Sequence, residues 1–405
     1  MNLSFSQKLK STIPEYLFGV NRVKQINKLM DKNPDWKVES FALLKRLLEE
    51  MIAKDASDID FGGPRSKGKV WFRIYGDKSP INHEFDIFEN DAIVIALSIL
   101  SEDQKEILNK NKNLDFALSV KLKGTKPEHR FRGNIFFERN YLAVNLRVIK
   151  QKLFSMEDLE IPAPILKRLD LKHEKSGLFL ITGITGSGKS STLDSIINMN
   201  NHNNNSHIII IGNPIEYIHT SDKSIVSHRE VGNDVLGFRN GTIEALRQDP
   251  DIIVVGEMRD SKTMSTVLEV TDSGHKVFST LHTSSTVESI HRIIAEFPSD
   301  EQERVRYRLA DVLKVVISQK LVPNKKNNLT LAKEILSVDY SVQAAIKNGN
   351  ISELYQMLTE GKNAGMYTMQ QDLYRLYKRG IITLETAYNY CNNKKVMTNL
   401  LKYNS

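Results

Sequence analysis

Residues 183–190 read Gly-Ile-Thr-Gly-Ser-Gly-Lys-Ser, directly after the apolar run Gly177-Leu-Phe-Leu-Ile-Thr182 and directly before a helix-compatible stretch. The octet matches the nucleotide-binding P-loop at every fixed position, and it stands between a strand and a helix, as that loop requires. Gly183, Gly186 and Gly188 let the backbone turn tightly, so that N–H groups along Gly183, Ile184, Thr185, Gly186, Ser187, Gly188, Lys189, Ser190 and Ser191 face phosphate oxygens. The following helix adds the positive end of its dipole. Lys189 is placed to reach the β- and γ-phosphates and Ser190 to ligate Mg²⁺. The stretch predicts a bound nucleoside triphosphate.

A chain of 405 residues with 40% hydrophobic side chains has the material for two or three domains with real cores. A net charge of +7 and a pI near 9.1 raise nucleic acid or an anionic membrane as partners. The surplus is small for the length, however, and basic residues are interspersed with acidic ones, so a solvated surface is the reading and no nucleic acid partner is expected. One cysteine, Cys391, excludes a disulfide framework and a multi-cysteine zinc site within one chain, which fits a reducing compartment. The amino-terminal segment lacks the apolar core of a signal peptide, and no run approaches the roughly 20 apolar residues that span a bilayer. A cytoplasmic location is expected, with membrane association peripheral only.

Along the chain, residues 1–38 mix basic and apolar side chains without a sustained period, broken by Pro14 and Pro34, and read as an extension packed on, or loosely tethered to, the first domain. Phe41, Leu44, Leu47, Leu48 and Met51 fall at helical spacing and predict an amphipathic helix of about four turns. Strands are predicted at 69–75, closed by a Gly76-Asp77 turn, and at 131–137 and 141–149, giving an α+β domain over 39–150. Pro162 and Pro164 mark 151–164 as an interdomain linker. From 165 to 335 very apolar strands at 207–211, 251–255 and 276–281 alternate with helices, which predicts an α/β domain whose parallel sheet is covered on both faces. Asn198–Asn205 reads as a surface loop. Residues 336–405 look helical, with Leu373, Leu376 and Tyr377 on one apolar face and Gly380 as a helix stop.

Three clusters downstream of the P-loop bear on what the nucleotide is used for. In Asn213-Pro-Ile-Glu-Tyr-Ile-His219, Glu216 follows a buried strand and stands at the rim of the ligand crevice. Water attacking a γ-phosphate needs such a carboxylate to orient it and accept its proton, although an exposed loop Glu is more often merely solvated. Asp249-Pro-Asp-Ile-Ile-Val-Val-Gly-Glu-Met-Arg259 is an apolar strand ending in an acid, a Walker B variant with Gly256 where many P-loop enzymes place an aspartate. Glu257 is suited to polarise the metal's water shell or position the attacking water. In Gly274-His-Lys-Val-Phe-Ser-Thr-Leu-His-Thr283, His275 and His282 bracket a strand seven residues apart, unlike metal ligands. His282 suits a γ-phosphate sensor at the strand end; His275 suits a turn equally well.

With these clusters assembled, the chain resembles the secretion ATPase superfamily of type II secretion, type IV pili and type IV secretion. Pro-Ile-Glu-Tyr corresponds to the core of its Asp box, Gly256-Glu-Met-Arg-Asp260 to the end of Walker B, and 274–283 to its His box. Ala56-Ser-Asp-Ile-Asp60, Arg130-Phe-Arg132 and Leu146-Arg-Val-Ile149 look like its PAS-like amino-terminal domain, so residues 40–385 are covered. The resemblance implies a PAS-like α+β domain, then a RecA-like ATPase domain and a carboxyl-terminal helical region. It implies ATP and Mg²⁺ as cofactors, with Ser190 and, through water, Glu257 holding the metal. Glu216 becomes the catalytic carboxylate, Glu257 the Walker B acid and His282 the nucleotide sensor. Arg130, Arg132 and Arg147 fall where the family places arginine fingers, which stabilise charge on the transferring phosphoryl group, although each also suits a surface ion pair. Arg229, Arg239 and Arg247 match family positions without a sharper role.

Within the superfamily the chain is most similar to the PilT-like pilus retraction branch. One cysteine cannot build the tetracysteine zinc module of assembly-type ATPases, and Glu360-Gly-Lys-Asn-Ala-Gly-Met-Tyr-Thr-Met-Gln370 resembles the retraction signature. The implied protein is a homo-oligomer, a hexameric ring docked peripherally on an inner-membrane platform protein of a pilus or secretion machine. Gly212 and Asn213 depart from the usual Glu-Asp before Pro214, and Ser341-Val-Gln-Ala-Ala-Ile346 only partly matches a second retraction signature. The alternatives are an assembly or type IV secretion ATPase, a nucleotide-gated regulatory module, or a RecA-like DNA motor.

Overall fold

A computed structural model of the chain describes residues 3–81, 86–123, 128–149 and 153–403. The chain forms two compact units, Met1–Gln151 and Lys152–Ser405. Among the described residues no helix is long and apolar enough to cross a membrane.

The first unit opens with helices α1 (Ser4–Thr12), α2 (Gly19–Lys32) and α3 (Asp35–Ala53). Within residues 1–38, Phe5, Leu9, Val23, Ile26 and Trp36 enter the unit's core, so this stretch is packed on the first unit rather than loosely tethered to it. These apolar positions are spread over α1, α2 and the start of α3, with Pro14 and Pro34 in the intervening segments, so no single window shows a period. The predicted helix around 41–51 runs from Asp35, because Trp36 continues its buried face. Next come β1 (Asp58–Gly62), the short α4 (Gly63–Ser66), β2 (Trp71–Ile74) and β3 (Asp77–Pro80). They are followed by α5 (Glu89–Ile99), α6 (Glu102–Asn111), β4 (Asn113–Val120), β5 (His129–Glu138) and β6 (Tyr141–Ile149). The β2–β3 connection is the two-residue turn Tyr75–Gly76, with φ of +50° and +94°, the combination that matches the twist of a tight hairpin. The six strands form one antiparallel sheet in the order β3-β2-β1-β6-β5-β4. One face packs on α5, whose Ala92–Leu97 stretch is buried all round.

The second unit contains α7 (Ala163–Leu169), β7 (Gly177–Thr182), α8 (Lys189–Asn203), β8 (His207–Gly212), β9 (Ile225–Glu230), α9 (Phe238–Ala245) and β10 (Ile252–Val255). It continues with α10 (Ser261–Asp272), β11 (Lys276–Leu281), α11 (Thr286–Ala295), α12 (Gln302–Val312), β12 (Leu313–Pro323) and β13 (Leu329–Ser337). Helices α13 (Tyr340–Lys347), α14 (Ile351–Glu360), α15 (Met369–Lys378), α16 (Leu384–Tyr390) and α17 (Lys394–Tyr403) close the chain. The sheet order is β13-β12-β7-β11-β10-β8-β9. Successive residues of each central strand enter different cores: Leu178, Ile209, Ile253 and Val277 on one face, Phe179, Ile208, Ile252 and Phe278 on the other. Burial on both faces explains why these strands read as continuous apolar runs.

Two local expectations are corrected. The sheet is mixed rather than parallel, since β13 runs antiparallel to β12; the connection at 324–328 is too short for a crossover and can only make a hairpin. Within the segment 151–164, Leu159 and Ile161 are buried beside Ile165 while most of the other described residues are exposed; residues 151 and 152 lie outside the described ones. The asparagine run 198–205 is not a surface loop. Helix α8 continues to Asn203, and Asn200 is buried, accepting from Leu171 N at 2.8 Å and donating to Leu169 O at 3.1 Å. Asn201 accepts from Asp222 N and donates to Thr220 O. Composition is blind to this because an amide that satisfies backbone groups is as much at home inside a fold as outside it.

Candidate nucleotide-hydrolysis site

The P-loop leaves β7 at Thr182 and enters α8 at Lys189, at the carboxyl end of a strand flanked by β12 and β11. A side chain at Gly183 (φ +148°) would meet Ser187 Oγ at 2.3 Å and the Gln319 carbonyl oxygen at 2.6 Å, so the tight turn demands glycine. Gly186 and Gly188 hold φ of +81° and +85°. Ser187 Oγ is buried and has no hydrogen-bond partner among the described residues, and Ile184, Thr185 and Gly186 are exposed. A loop with its backbone open at this point fits a phosphate. Lys189 Nζ donates to the carbonyls of Gly183 at 2.7 Å and Ile184 at 3.1 Å. Burial pushes the Lys189 ammonium below its ordinary range, while Glu216 and Glu257 favour its charge. Both predicted carboxylates therefore lie within electrostatic reach of the P-loop lysine.

Glu257 follows β10, next to β8 and β11. A side chain at Gly256 would meet the Ile211 carbonyl oxygen at 3.0 Å and Gly212 Cα at 3.4 Å. The close approach of the two strand ends accounts for the glycine where an aspartate is common. Glu257 Oε1 lies 2.6 Å from Arg259 Nη2, and Glu257 Oε2 lies 3.8 Å from His282 Nε2. Burial first, then the Lys189 and Arg259 cations, lower the His282 pKa against the opposing pull of Glu257, so the imidazole is kept neutral at pH 7.

The two histidines of 274–283 lie at opposite ends of β11. Gly177 N donates to the His275 carbonyl at 3.1 Å, at the end where β7 begins, and His275 Nδ1 lies 3.0 Å from Ser273 Oγ. A six-residue strand is about 20 Å long, so His275 belongs to a turn remote from the P-loop and His282 to the site.

The segment carrying Glu216 is fixed on either side of it. Glu230 Oε2 accepts from Ile215 N at 3.1 Å, and His219 is buried against Asp194 of α8. Glu216 itself is exposed. Gly212 ends β8, where a side chain would meet Ile215 Cδ1 at 2.7 Å. Asp194, His219 and Glu230 escaped the sequence reading. One signal was available for Asp194: it is the sole acid of α8 and lies four residues, one helical turn, beyond Ser190.

Arg130, Arg132 and Arg147 belong to the first unit. Arg132 and Arg147 are register partners on β5 and β6, and the three share the face opposite the core residues Phe131, Leu146 and Ile135. Arg147 Nε donates to Asp58 at 2.7 Å and Arg130 Nη1 to Ser119 Oγ at 2.9 Å. Asp60 on the same face holds Arg65 at 2.8 Å and Asn145 at 2.9 Å, so the Ala56–Asp60 motif is one side of a charged ladder. Arg229 ties β9 to α9 through Glu244 at 2.8 Å.

The carboxyl-terminal signature is a docking element. Tyr367 pairs with Ile335 as an isolated bridge, Thr368 caps α15 by accepting from Gln371 N, and Met369 is fully buried. Buried Glu334 on β13 accepts from Thr286 N and Oγ1, each at 2.8 Å, and from Met369 N at 3.2 Å, joining the first turns of α11 and α15. Within 341–346, Val342, Ala345 and Ile346 are the buried face of α13.

Residues 36–394 match the family described as type II/IV secretion system protein. A twitching motility protein of Neisseria gonorrhoeae is 35% identical over 327 residues, 80% of this chain and 85% of that protein. A type IV pilus retraction ATPase, PilT, of Pseudomonas aeruginosa is 35% identical over 315 residues, 78% of this chain and 89% of that protein. The crystal structure of the pilus retraction motor PilT with bound ADP superposes with a TM-score of 0.78 at 36% identity, covering 88% of this chain and 98% of that one.

Proposed function

The chain belongs to the type II/IV secretion system protein family, and from that premise we propose that it is an ATP-hydrolysing motor powering type IV pilus retraction. The observation that carries this reading is Lys189, a P-loop lysine with the carboxylates of Glu216 and Glu257 in electrostatic reach, which supports phosphate-holding and water-orienting groups acting together. In it, residues 183–191 cradle the phosphates, Glu216 orients water and takes its proton, and neutral His282 senses the γ-phosphate. A divalent cation bound with the nucleotide would neutralise phosphate charge; Ser190 and, through water, Glu257 would hold it.

The first unit is read as a PAS-like domain over 39–150, preceded by helices α1 and α2. Arg130, Arg132 and Arg147 on its charged face are assigned to the phosphoryl group, supplied within a ring of six subunits. Hydrolysis then swings that domain about the junction near 151–164. The ring is cytoplasmic and docks peripherally on an inner-membrane platform protein. Retraction is favoured over assembly by the single cysteine and by relatives named for twitching motility and retraction.

Steady-state hydrolysis of wild type and Glu216→Gln tests the reading. Wild type turns over, and the variant loses roughly 10²- to 10³-fold in kcat while keeping ATP affinity. Equal near-zero rates would sink the motor. Arg132→Ala depresses kcat far more than binding; lost ATP affinity with kcat retained would remove its assigned role.

A further inference from the structure

Glu216 is an exposed side chain on the connection between β8 and β9, and two buried residues, Ile215 and His219, flank it. The Ile215 end is tied to Glu230. At the other end the His219 backbone N–H donates to His228 Nε2 at 3.0 Å, and the two imidazole rings lie stacked at 6.0 Å and 11°. The Tyr217 ring covers His219 at 4.6 Å. Nε2 of His219 lies 3.3 Å from Asp194 Oδ1, and the His219 side chain has no exposed surface. Asp194 stands on α8, the helix whose first residues are Lys189 and Ser190. One helix therefore presents the P-loop lysine and also grips the loop that carries Glu216.

A carboxylate that orients water needs its position fixed to within about half an ångström, and that includes the position of the backbone segment that carries it. We propose that the His219–Asp194 contact is a positioning device, tying the Glu216 loop to the P-loop helix and so fixing the carboxylate relative to Lys189. The proposal rests on the assignment of Glu216 as the water-orienting group. Burial raises the Asp194 pKa and the contact with His219 opposes it, so the ring favours the charged, accepting form of the carboxylate. Neither residue is assigned a contact with the nucleotide; they act through Glu216.

The experiment measures steady-state ATP hydrolysis and binding of a fluorescent ADP analogue on the full chain. His219→Ala and Asp194→Ala are each expected to lower kcat about 10- to 100-fold with analogue affinity within about twofold of wild type. The double variant is expected to be no worse than either single, and Asp194→Asn, whose Oδ1 still accepts, to recover most of the rate. If the alanine variants do not fold, His219→Asn, whose shorter amide falls short of Asp194, carries the same expected loss. Additive losses, an affinity loss equal to the rate loss, or His219 variants at wild-type kcat would overturn the proposal. Glu216→Gln separates the two ideas. An inactive Glu216→Gln beside a fully active His219→Ala overturns the positioning role alone, whereas wild-type turnover in Glu216→Gln removes the assignment on which it rests.

Discussion

Lys189 Nζ donates to the Gly183 carbonyl at 2.7 Å, closing the P-loop on its own first residue. The ammonium is buried beside that carbonyl and the Ile184 carbonyl, and Glu216 and Glu257 both favour its charge, so its removal takes away a cation that acts on both carboxylates. Lys189→Ala should lower kcat/KM for ATP by roughly 10³-fold, about 4 kcal/mol of transition-state stabilisation. Steady-state kinetics checks this, and a variant hydrolysing ATP at the wild-type rate would refute the P-loop assignment.

Glu334 links two helices through their first turns, and its side chain is buried. Glu334→Ala leaves Thr286 N, Thr286 Oγ1 and Met369 N without this acceptor, at about 1–3 kcal/mol for each group left unsatisfied. Urea unfolding should show a loss of at least about 3 kcal/mol, with Glu334→Gln less affected because one carbonyl oxygen still accepts. A loss within a few tenths of a kcal/mol of wild type would mean that the two helix starts hold without the strut.

Lys276 is fully buried at the amino end of β11, donating to the Arg168 carbonyl at 2.7 Å and the Glu174 carbonyl at 2.9 Å, with its ammonium 4.1 Å from the Phe179 ring centre. Burial lowers its pKa to about 7. Between pH 7 and 10 the unfolded chain then holds a proton that the folded chain has lost, so this residue makes stability rise with pH across that window and contributes no slope below it. The rise should be on the order of 4 kcal/mol. Lys276→Met should remove that slope while leaving nucleotide affinity intact, since Lys276 begins the strand whose other end faces the P-loop. Denaturation at pH 7 and pH 10 with equal slopes in both proteins would assign the titration elsewhere.

Local sequence determined the elements whose signal is covalent or periodic. Gly183, Gly186 and Gly188 announced the P-loop because no other residue adopts those backbone angles so readily, and the strands 207–211 and 276–281 announced themselves because a sheet buried on both faces needs unbroken apolar runs. Glu216, Glu257 and His282 were legible as candidates because each follows an apolar strand, where an open α/β sheet places its ligand.

Tertiary structure alone decided which polar residues matter inside. Asn200 and Asn201 read as loop and are buried connectors, Asp194 and His219 meet 25 positions apart, and Glu334 on β13 joins two helices. The physical reason is common to all. A buried polar side chain is defined by a partner distant in sequence, and single-sequence patterns carry periodicity and backbone preference but not the identity of that partner.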